Sequence, residues 1–499
     1  MKHALLRGRT ALAAATLLTL AACATPPTKL DRPALRDDVP LAGLRAPTRA
    51  GWPDAQWWRG YGDPQLDQLM DQAMRQAPDL AVAQSRVRSA EQSARLAATQ
   101  MGLTVGGSAQ FARQRMSEHG LIPSKFLGFT WYNQADLGVQ LQYDFDWWGK
   151  KRATVEAALD QAHAAEAQRS AAALAIQYAV ADTYFGWQAD QARLRLAEQM
   201  LDAQQQFARI AELRVKQGVD LPDEAQKARA QLAAVREMRV ALDGSAQIRR
   251  VALASLLGVA PAQLPALQVR PLPPIERGVP TGAGLDLIAR RPDIAASRWQ
   301  VEAALRQTNA ARAEFFPDVG ITALAGLSSI DMGKLLTAGS RTFAFTPALH
   351  LPIFSGGQLE ANYGLSKAQL ESAVAQYDST VLAAAREVAT QALGAEQLAA
   401  RRREQQAQVD AGERLFANAR ARARQGVRDA REELGAQAQW LQQRDDAIQL
   451  QAQAVSTDLA LIKALGGGYR SADHSADTAT AASPTSPSDI AGAADHERH

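Results

Sequence analysis

The side chains able to do covalent or metal chemistry are few and scattered. The seven histidines are His3, His119, His163, His350, His474, His496 and His499, and none forms a metal-ligand motif with another. No nucleophile elbow, phosphate-binding loop or convincing carboxylate pair occurs, and most Asp and Glu residues alternate with Lys and Arg as on solvated helix faces. An enzyme is not indicated, and no cofactor is expected. One thiol remains, Cys23, the only cysteine in the chain. A lone cysteine cannot form an internal disulfide, so acylation accounts for it better than pairing does.

The residues before Cys23 are those that would deliver it. Lys2, Arg7 and Arg9 supply a positive end and Ala11 to Ala22 a short apolar run, the pattern of a secretory signal. That run is too short to span a bilayer as a helix. It ends in Leu20-Ala21-Ala22-Cys23, which resembles the lipobox of bacterial lipoproteins. Residues 1–22 are therefore expected to be a signal peptide. Residues 23–60, rich in Pro and Arg, are expected to be a lipidated tether. By the same resemblance, Ala24 in place of Asp suits delivery to the outer membrane.

The apolar share of the 499 residues is carried largely by alanine, which suggests long packed helices more than one large core. The net charge of +3 is small and the basic residues form no single patch, so nucleic acid binding has little support. An internal match organises the chain: Pro78-Asp79-Leu80 stands 214 positions before Pro292-Asp293-Ile294, and Gly149, Gly218 and Gly258 stand 208 before Gly357, Gly426 and Gly466. One unit is thus used twice. The shift between the two spacings falls in the first strand–strand loop, where length differences are absorbed.

Within each half, a helix opening at Pro-Asp leads into two stretches of alternating polarity. Leu137, Val139, Leu141, Tyr143 and Phe145 alternate with Asp136, Gly138, Gln140, Gln142 and Asp144, a strand with two different faces. Strands are expected over about 102–113, 134–147, 318–328 and 341–354. Trp147-Trp148 and Phe315-Phe316 suit an aromatic belt. Each strand pair is followed by a proline-poor helical run, about 149–258 and 357–466, broken at Gly218 and Gly426 into antiparallel hairpins with first arms of roughly 100 Å. The domain reading is a first repeat at 61–258, a proline-rich crossover at 259–284, a second repeat at 285–466 and a disordered tail at 467–499.

Four strands with one wet face cannot close on themselves in lipid, where unpaired backbone groups cost several kcal/mol each. Several chains must then share one barrel. Two would give eight strands with a filled interior and three would give twelve with room for a channel, and the polar faces favour the wetter option.

Several segments carry a family resemblance. WWRGYGDPQLDQLMDQA, ARRPDIAASRWQVEAA and ARAEFFPDVGITALAGL, together with FDWWGKKR, IFSGGQLEA, RVKQGVD and ARAQLA, resemble signatures of the outer-membrane efflux lipoproteins. These are the NodT-like branch of the TolC-like outer membrane factors. The resemblance implies an α+β membrane protein: a trimeric twelve-stranded transmembrane β-barrel, four strands per chain, continued by a long α-helical coiled-coil periplasmic barrel. It also implies docking to a periplasmic adaptor (membrane fusion) protein that joins an inner-membrane efflux pump, with drugs, aromatic acids or other toxic small molecules as cargo.

Two sites follow from the same resemblance. The hairpin tips Gln217-Gly218-Val219 and Gln425-Gly426-Val427 match the adaptor-docking position. The periplasmic gate, which relatives often narrow with a leucine and an aspartate, corresponds here to Arg431 and Gly435, with Asp429, Glu432 and Glu433 nearby. A gate closed by Arg431–carboxylate pairs is the expectation, against an ordinary solvated charged face. Two other functions remain open at this point: a polypeptide-secretion duct, and a periplasmic coiled-coil scaffold held by lipid alone.

Overall fold

A computed structural model describes residues 26–36, 48–49, 51–117, 126, 128–275, 279–280, 283–427 and 429–470. Cys23, the signal segment and the tail from residue 471 lie outside them. The chain divides into two compact units. One is drawn from Met1–Ala34, Val87–Ala164 and Ser297–Gln376, the other from Leu35–Arg86, Ala165–Ala296 and Tyr377–His499.

The element order is a short strand β1 (Thr48–Arg49), helices α1 (Pro64–Gln76) and α2 (Pro78–Thr99), and strands β2 (Thr104–Arg115) and β3 (Trp131–Phe145). Helices α3 (Lys150–Lys216) and α4 (Pro222–Leu256) follow, then β4 (Val279–Pro280), α5 (Ala283–Arg290), α6 (Pro292–Ala313), β5 (Asp318–Ser329), β6 (Arg341–His350), α7 (Gln358–Arg424) and α8 (Ala430–Ala464). The succession α2-β2-β3-α3-α4 has the same lengths as α6-β5-β6-α7-α8 in its helices, with 22, 67 and 35 residues in each. Helices α2 and α6 both begin at Pro-Asp, where proline's missing donor is no loss and the carboxylate meets the positive helix end.

The first unit holds the four-stranded antiparallel sheet, in the order β2-β3-β5-β6. Thr104 pairs with Gln142 and Arg115 with Trp131, Phe145 with Val319, and Asp318 with His350. Three boundaries differ from the sequence expectation. Trp131 and Tyr132, which alternation leaves in a loop, are strand residues because pairing continues to the end of β2, and the Tyr132 hydroxyl donates to Gln114 Oε1 at 3.1 Å. Gly102 belongs to the turn that ends α2, its N–H bonded to Thr99 O. The fourth strand stops at His350 and not near residue 354, because its neighbour β5 starts at Asp318, behind the donor-less Pro317.

The second unit holds the main apolar core. Trp57 and Trp58, in a 3-10 turn, pack with Leu66, Leu69 and Met70 of α1 against Ile176, Val180 and Tyr184 of α3, Leu253 and Leu257 at the end of α4, and Val455, Leu459 and Ile462 of α8. The expected tether thus reaches a fixed core before residue 60. Helix α1 is set by Asp63, whose carboxylate accepts from Gln65 N at 2.9 Å and Leu66 N at 3.4 Å, with Pro64 at the first helical position. The buried Tyr184 hydroxyl donates to Asp63 Oδ2 at 2.7 Å and accepts from Gln188 Nε2 at 2.8 Å. Burial, and then Asp63, push that phenol well above its ordinary pKa, so it remains a donor.

Two further differences concern this unit. Helix α5 falls across the boundary of what reads as a proline-rich crossover. The tail expectation fails at its start: Gly467 and Gly468 close a turn, and Tyr469 packs against Ala167, Ala295 and Ala296.

Candidate functional site

Cross-strand register sorts the sheet into two faces. Val105, Ala109 and Phe111 of β2 stand with Leu137, Val139 and Leu141 of β3, Ala323, Ala325 and Leu327 of β5, and Phe343 and Phe345 of β6. The other face carries Ser108, Gln110, Asp136, Gln140, Gln142, Thr322, Ser328, Thr342 and Thr346. Among the described residues nothing covers the apolar face: Phe343 is 75% exposed and Phe345 69%. An uncovered apolar face of this extent marks a surface meant for lipid or protein. Among the described residues, strands β2 and β6 each pair on one side only, leaving two ten- to twelve-residue edges with unsatisfied backbone groups.

At the helix-proximal end of the sheet, Trp148 stacks on Phe316 with ring centroids 4.5 Å apart, and its Nε1 donates to Pro317 O at 2.9 Å. Trp147 is exposed. Phe315 is not part of a belt: it is buried, edge-on to Tyr363.

Each helical hairpin turns through a glycine with positive φ, +72° at Gly218 and +68° at Gly426. Each forms a paired closure. Gly218 N bonds Val215 O and Val219 N bonds Arg214 O; Gly426 N bonds Ala423 O and Val427 N bonds Arg422 O. A side chain at either glycine would be strained by its φ. Gln217, Gly218, Val219, Gln425, Gly426 and Val427 are all exposed, Val219 at 57% and Val427 at 64%. Two bare valines on turns held at one geometry are a matched pair of exposed apolar side chains.

Beside the tips lies a charge network that joins the two hairpins. Arg214 forks onto Asp220, Nε–Oδ2 at 2.8 Å and Nη2–Oδ1 at 3.1 Å. Arg431 reaches Asp220 Oδ2 through Nη1 at 2.9 Å and Asp429 Oδ2 through Nε at 2.9 Å. Arg214 Nη1 lies 3.6 Å from Asp429 Oδ2, closing the ring of four. Asp429 also caps α8, accepting from Arg431 N at 3.0 Å. The Arg214 guanidinium holds Asp220 below the usual carboxylate range, and the Arg431 N–H and then its side chain do the same for Asp429.

Glu432 takes a different partner, Arg422 at 2.8 Å, and Glu433 lies 3.7 Å from Arg420. Gly435 is exposed, and a Cβ there would meet nothing within 4 Å. Sequence reasoning finds Arg431 and Asp429 and misses Arg214 and Asp220 as partners. A signal was present: after the shared Gln-Gly-Val, the first tip continues with Asp220 and the second with Arg428, a reversal of charge inside an otherwise matched turn.

The fold and these faces define a class. The outer membrane efflux protein family model matches residues 69–259 and 285–467, and the chain belongs to that family. Among its relatives, the multidrug resistance outer membrane protein MdtP of Escherichia coli K12 is 33% identical over 443 residues, covering 87% of this chain and 90% of MdtP. MdtQ of E. coli O157:H7, also described as a multidrug resistance outer membrane protein, is 32% identical over 476 residues, 91% of this chain and 97% of its own. Among solved structures, the outer membrane protein VceC of Vibrio cholerae superposes with a TM-score of 0.76 at 31% identity, over 84% of this chain and 100% of VceC.

Proposed function

We propose that this chain is the outer-membrane duct of a tripartite efflux system, a passive exit for drugs, aromatic acids and other toxic small molecules, and not an enzyme. Three copies align their sheets edge to edge, β6 of one beside β2 of the next, as a twelve-stranded barrel. The observation that carries this is the two-faced sheet with both edges unpaired. Closure satisfies the edges, turns the apolar face to lipid and lines a lumen with Gln, Ser, Thr and Asp. The paired hairpins continue the duct into the periplasm. Their tips, Gln217-Gly218-Val219 and Gln425-Gly426-Val427, dock a periplasmic adaptor that links the duct to an inner-membrane efflux pump.

The gate is the ring of Arg214, Asp220, Asp429 and Arg431, which ties one hairpin to the other inside each chain. Glu432 serves its own helix pair instead, and Gly435 leaves the lumen wide at its level. Cys23, once acylated, anchors the tether to the inner leaflet of the outer membrane.

The deciding measurement is the light-scattering mass of detergent-extracted protein, corrected for bound detergent. A threefold mass is expected, and a stable monomer would sink the shared barrel. Cys23→Ala is expected to leave the protein in the membrane fraction through carbonate extraction, since the barrel holds it there. Its release as a soluble chain would point to a scaffold held by lipid alone.

A further inference from the structure

Helices α3 and α4 begin 208 residues before α7 and α8 and match them in length. Equivalent positions of the two hairpins nevertheless differ in what covers them. Within the chain, α8 meets α3 through side chains. Arg193 forks onto Asp445, Nε–Oδ1 at 2.8 Å and Nη2–Oδ2 at 3.0 Å, and Ser456 Oγ donates to Asp182 Oδ1 at 2.6 Å. Leu441 clusters with Leu196 and Met200, and Leu459 shares a core with Val180 and Tyr184. Leu441, Asp445 and Leu459 of α8 are buried. Their counterparts on α4, Ala233, Glu237 and Val251, are exposed, and so is Ile248, the counterpart of Ser456, at 71%.

The counterpart pairs stay matched in chemistry. Arg193 and Asp445 become Arg401 and Glu237, a cation and a carboxylate again. Asp182 and Ser456 become Thr390 and Ile248, so the carboxylate and its hydroxyl donor are replaced together. Asp220 and Arg431, bonded in the chain, become Arg428 and Asp223, exchanged but still opposite; Arg428 lies outside the described residues. Leu221 stands where Asp429 does, and Arg422, the counterpart of Arg214, is held instead by Glu432 of its own hairpin. Arg401 and Glu237 are both exposed, and among the described residues neither has an ion-pair or hydrogen-bond partner. A cation left over on α7 and a carboxylate left over on α4 complement each other across a contact between copies.

Resting on the duct of three copies, we propose that α7 of one copy packs on α4 of the next as α8 packs on α3 within the chain, with Arg401 bridging Glu237 across each junction. A head-to-tail contact of this kind repeats around a closed ring, so the same two residues serve every junction. Ile248 and Val251 supply the apolar part of the contact. The ion pair sets the register between copies, because a slip of one helical turn would part the two charges and leave each facing a wrong neighbour.

The test is charge exchange, read as light-scattering mass of the detergent-purified protein over a urea series. Wild type is compared with Glu237→Arg, with Arg401→Glu and with the two combined. Each single reversal sets like charges face to face and is expected to raise the monomer-to-trimer ratio at the wild-type midpoint roughly tenfold, the scale that exposed pairs at several junctions supply together. The double exchange restores opposite charges and is expected to recover the wild-type midpoint, which a role of either residue inside its own chain would not do. As a second readout, Glu237→Cys combined with Arg401→Cys and treated with bismaleimidoethane is expected to give covalent trimers, and neither single cysteine variant to do so. A trimeric wild type whose double exchange stays as weak as the single reversals, or whose paired cysteines join no copies, overturns the junction pair and leaves the duct standing. A monomeric wild type removes both.

Discussion

Gly466→Ala is expected to lower stability by about 2–4 kcal/mol, combining the cost of a left-handed alanine with that of forced overlap. Gly466 has φ of +90°, and a Cβ there would lie 1.8 Å from Arg290 O. It closes α8: Gly466 N bonds Lys463 O and Gly467 N bonds Ile462 O, the pairing that ends a helix on a glycine. The same device closes α4, where Gly258 has φ of +69° and a Cβ would lie 2.6 Å from Gln76 O. In both places the carbonyl approached stands two residues before the proline that opens the next packed helix, Pro78 or Pro292. These glycines fix where each 35-residue helix ends and how closely the following Pro-Asp helix can lie. Gly258→Ala is expected to act in the same direction. Gly244→Ala, in the middle of α4 with open space around it, is expected to be neutral or to stabilise by about 0.5–1 kcal/mol. Thermal dissociation of the purified oligomer compares the three, and equal midpoints for Gly466→Ala and Gly244→Ala would discard the close-approach account.

Those glycines illustrate why so much of the fold is legible in the chain. The pairs Gly149 and Gly357, Gly218 and Gly426, and Gly258 and Gly466 all adopt positive φ, and each is separated by 208 positions. Strand polarity is equally local: with side chains alternating every residue, Leu137 to Phe145 declare two faces before any partner is known. Ends of elements are less legible because a neighbour sets them. Trp131 and Tyr132 become strand only because β2 extends to meet them, and β6 ends where β5 has nothing left to offer. Composition misleads at Gly467 to Tyr469, where glycines mark close packing and resemble the start of a loose tail. The charge ring was legible only in half. Arg214 and Asp220 lie more than two hundred residues from Asp429 and Arg431, in helices whose alternating charges look solvated one helix at a time.

That ring sets the second large effect. Asp220→Asn with Asp429→Asn removes both carboxylates that hold Arg214 and Arg431. The open-to-closed ratio in single-channel recordings is expected to rise roughly two- to fivefold for each bridge lost, the scale exposed ion pairs supply. Arg431→Ala is expected to give a large part of the same rise, since its side chain lies 2.9 Å from a carboxylate oxygen of each aspartate. Glu432→Gln should change little, because its partner Arg422 belongs to the same hairpin. Salt should act in the same direction as the mutations, by screening. The pH dependence has a fixed sign. Both carboxyls are held below their ordinary range in the ring, so the bridges are complete above it and are lost as pH falls through the lowered values. Conductance should therefore be flat from pH 7 to about 5 and rise only below about pH 4, where a free Asp would already be half protonated. Conductance indifferent to Arg431→Ala, to the double variant and to salt would leave the ring as a solvated surface that ties hairpins without gating them.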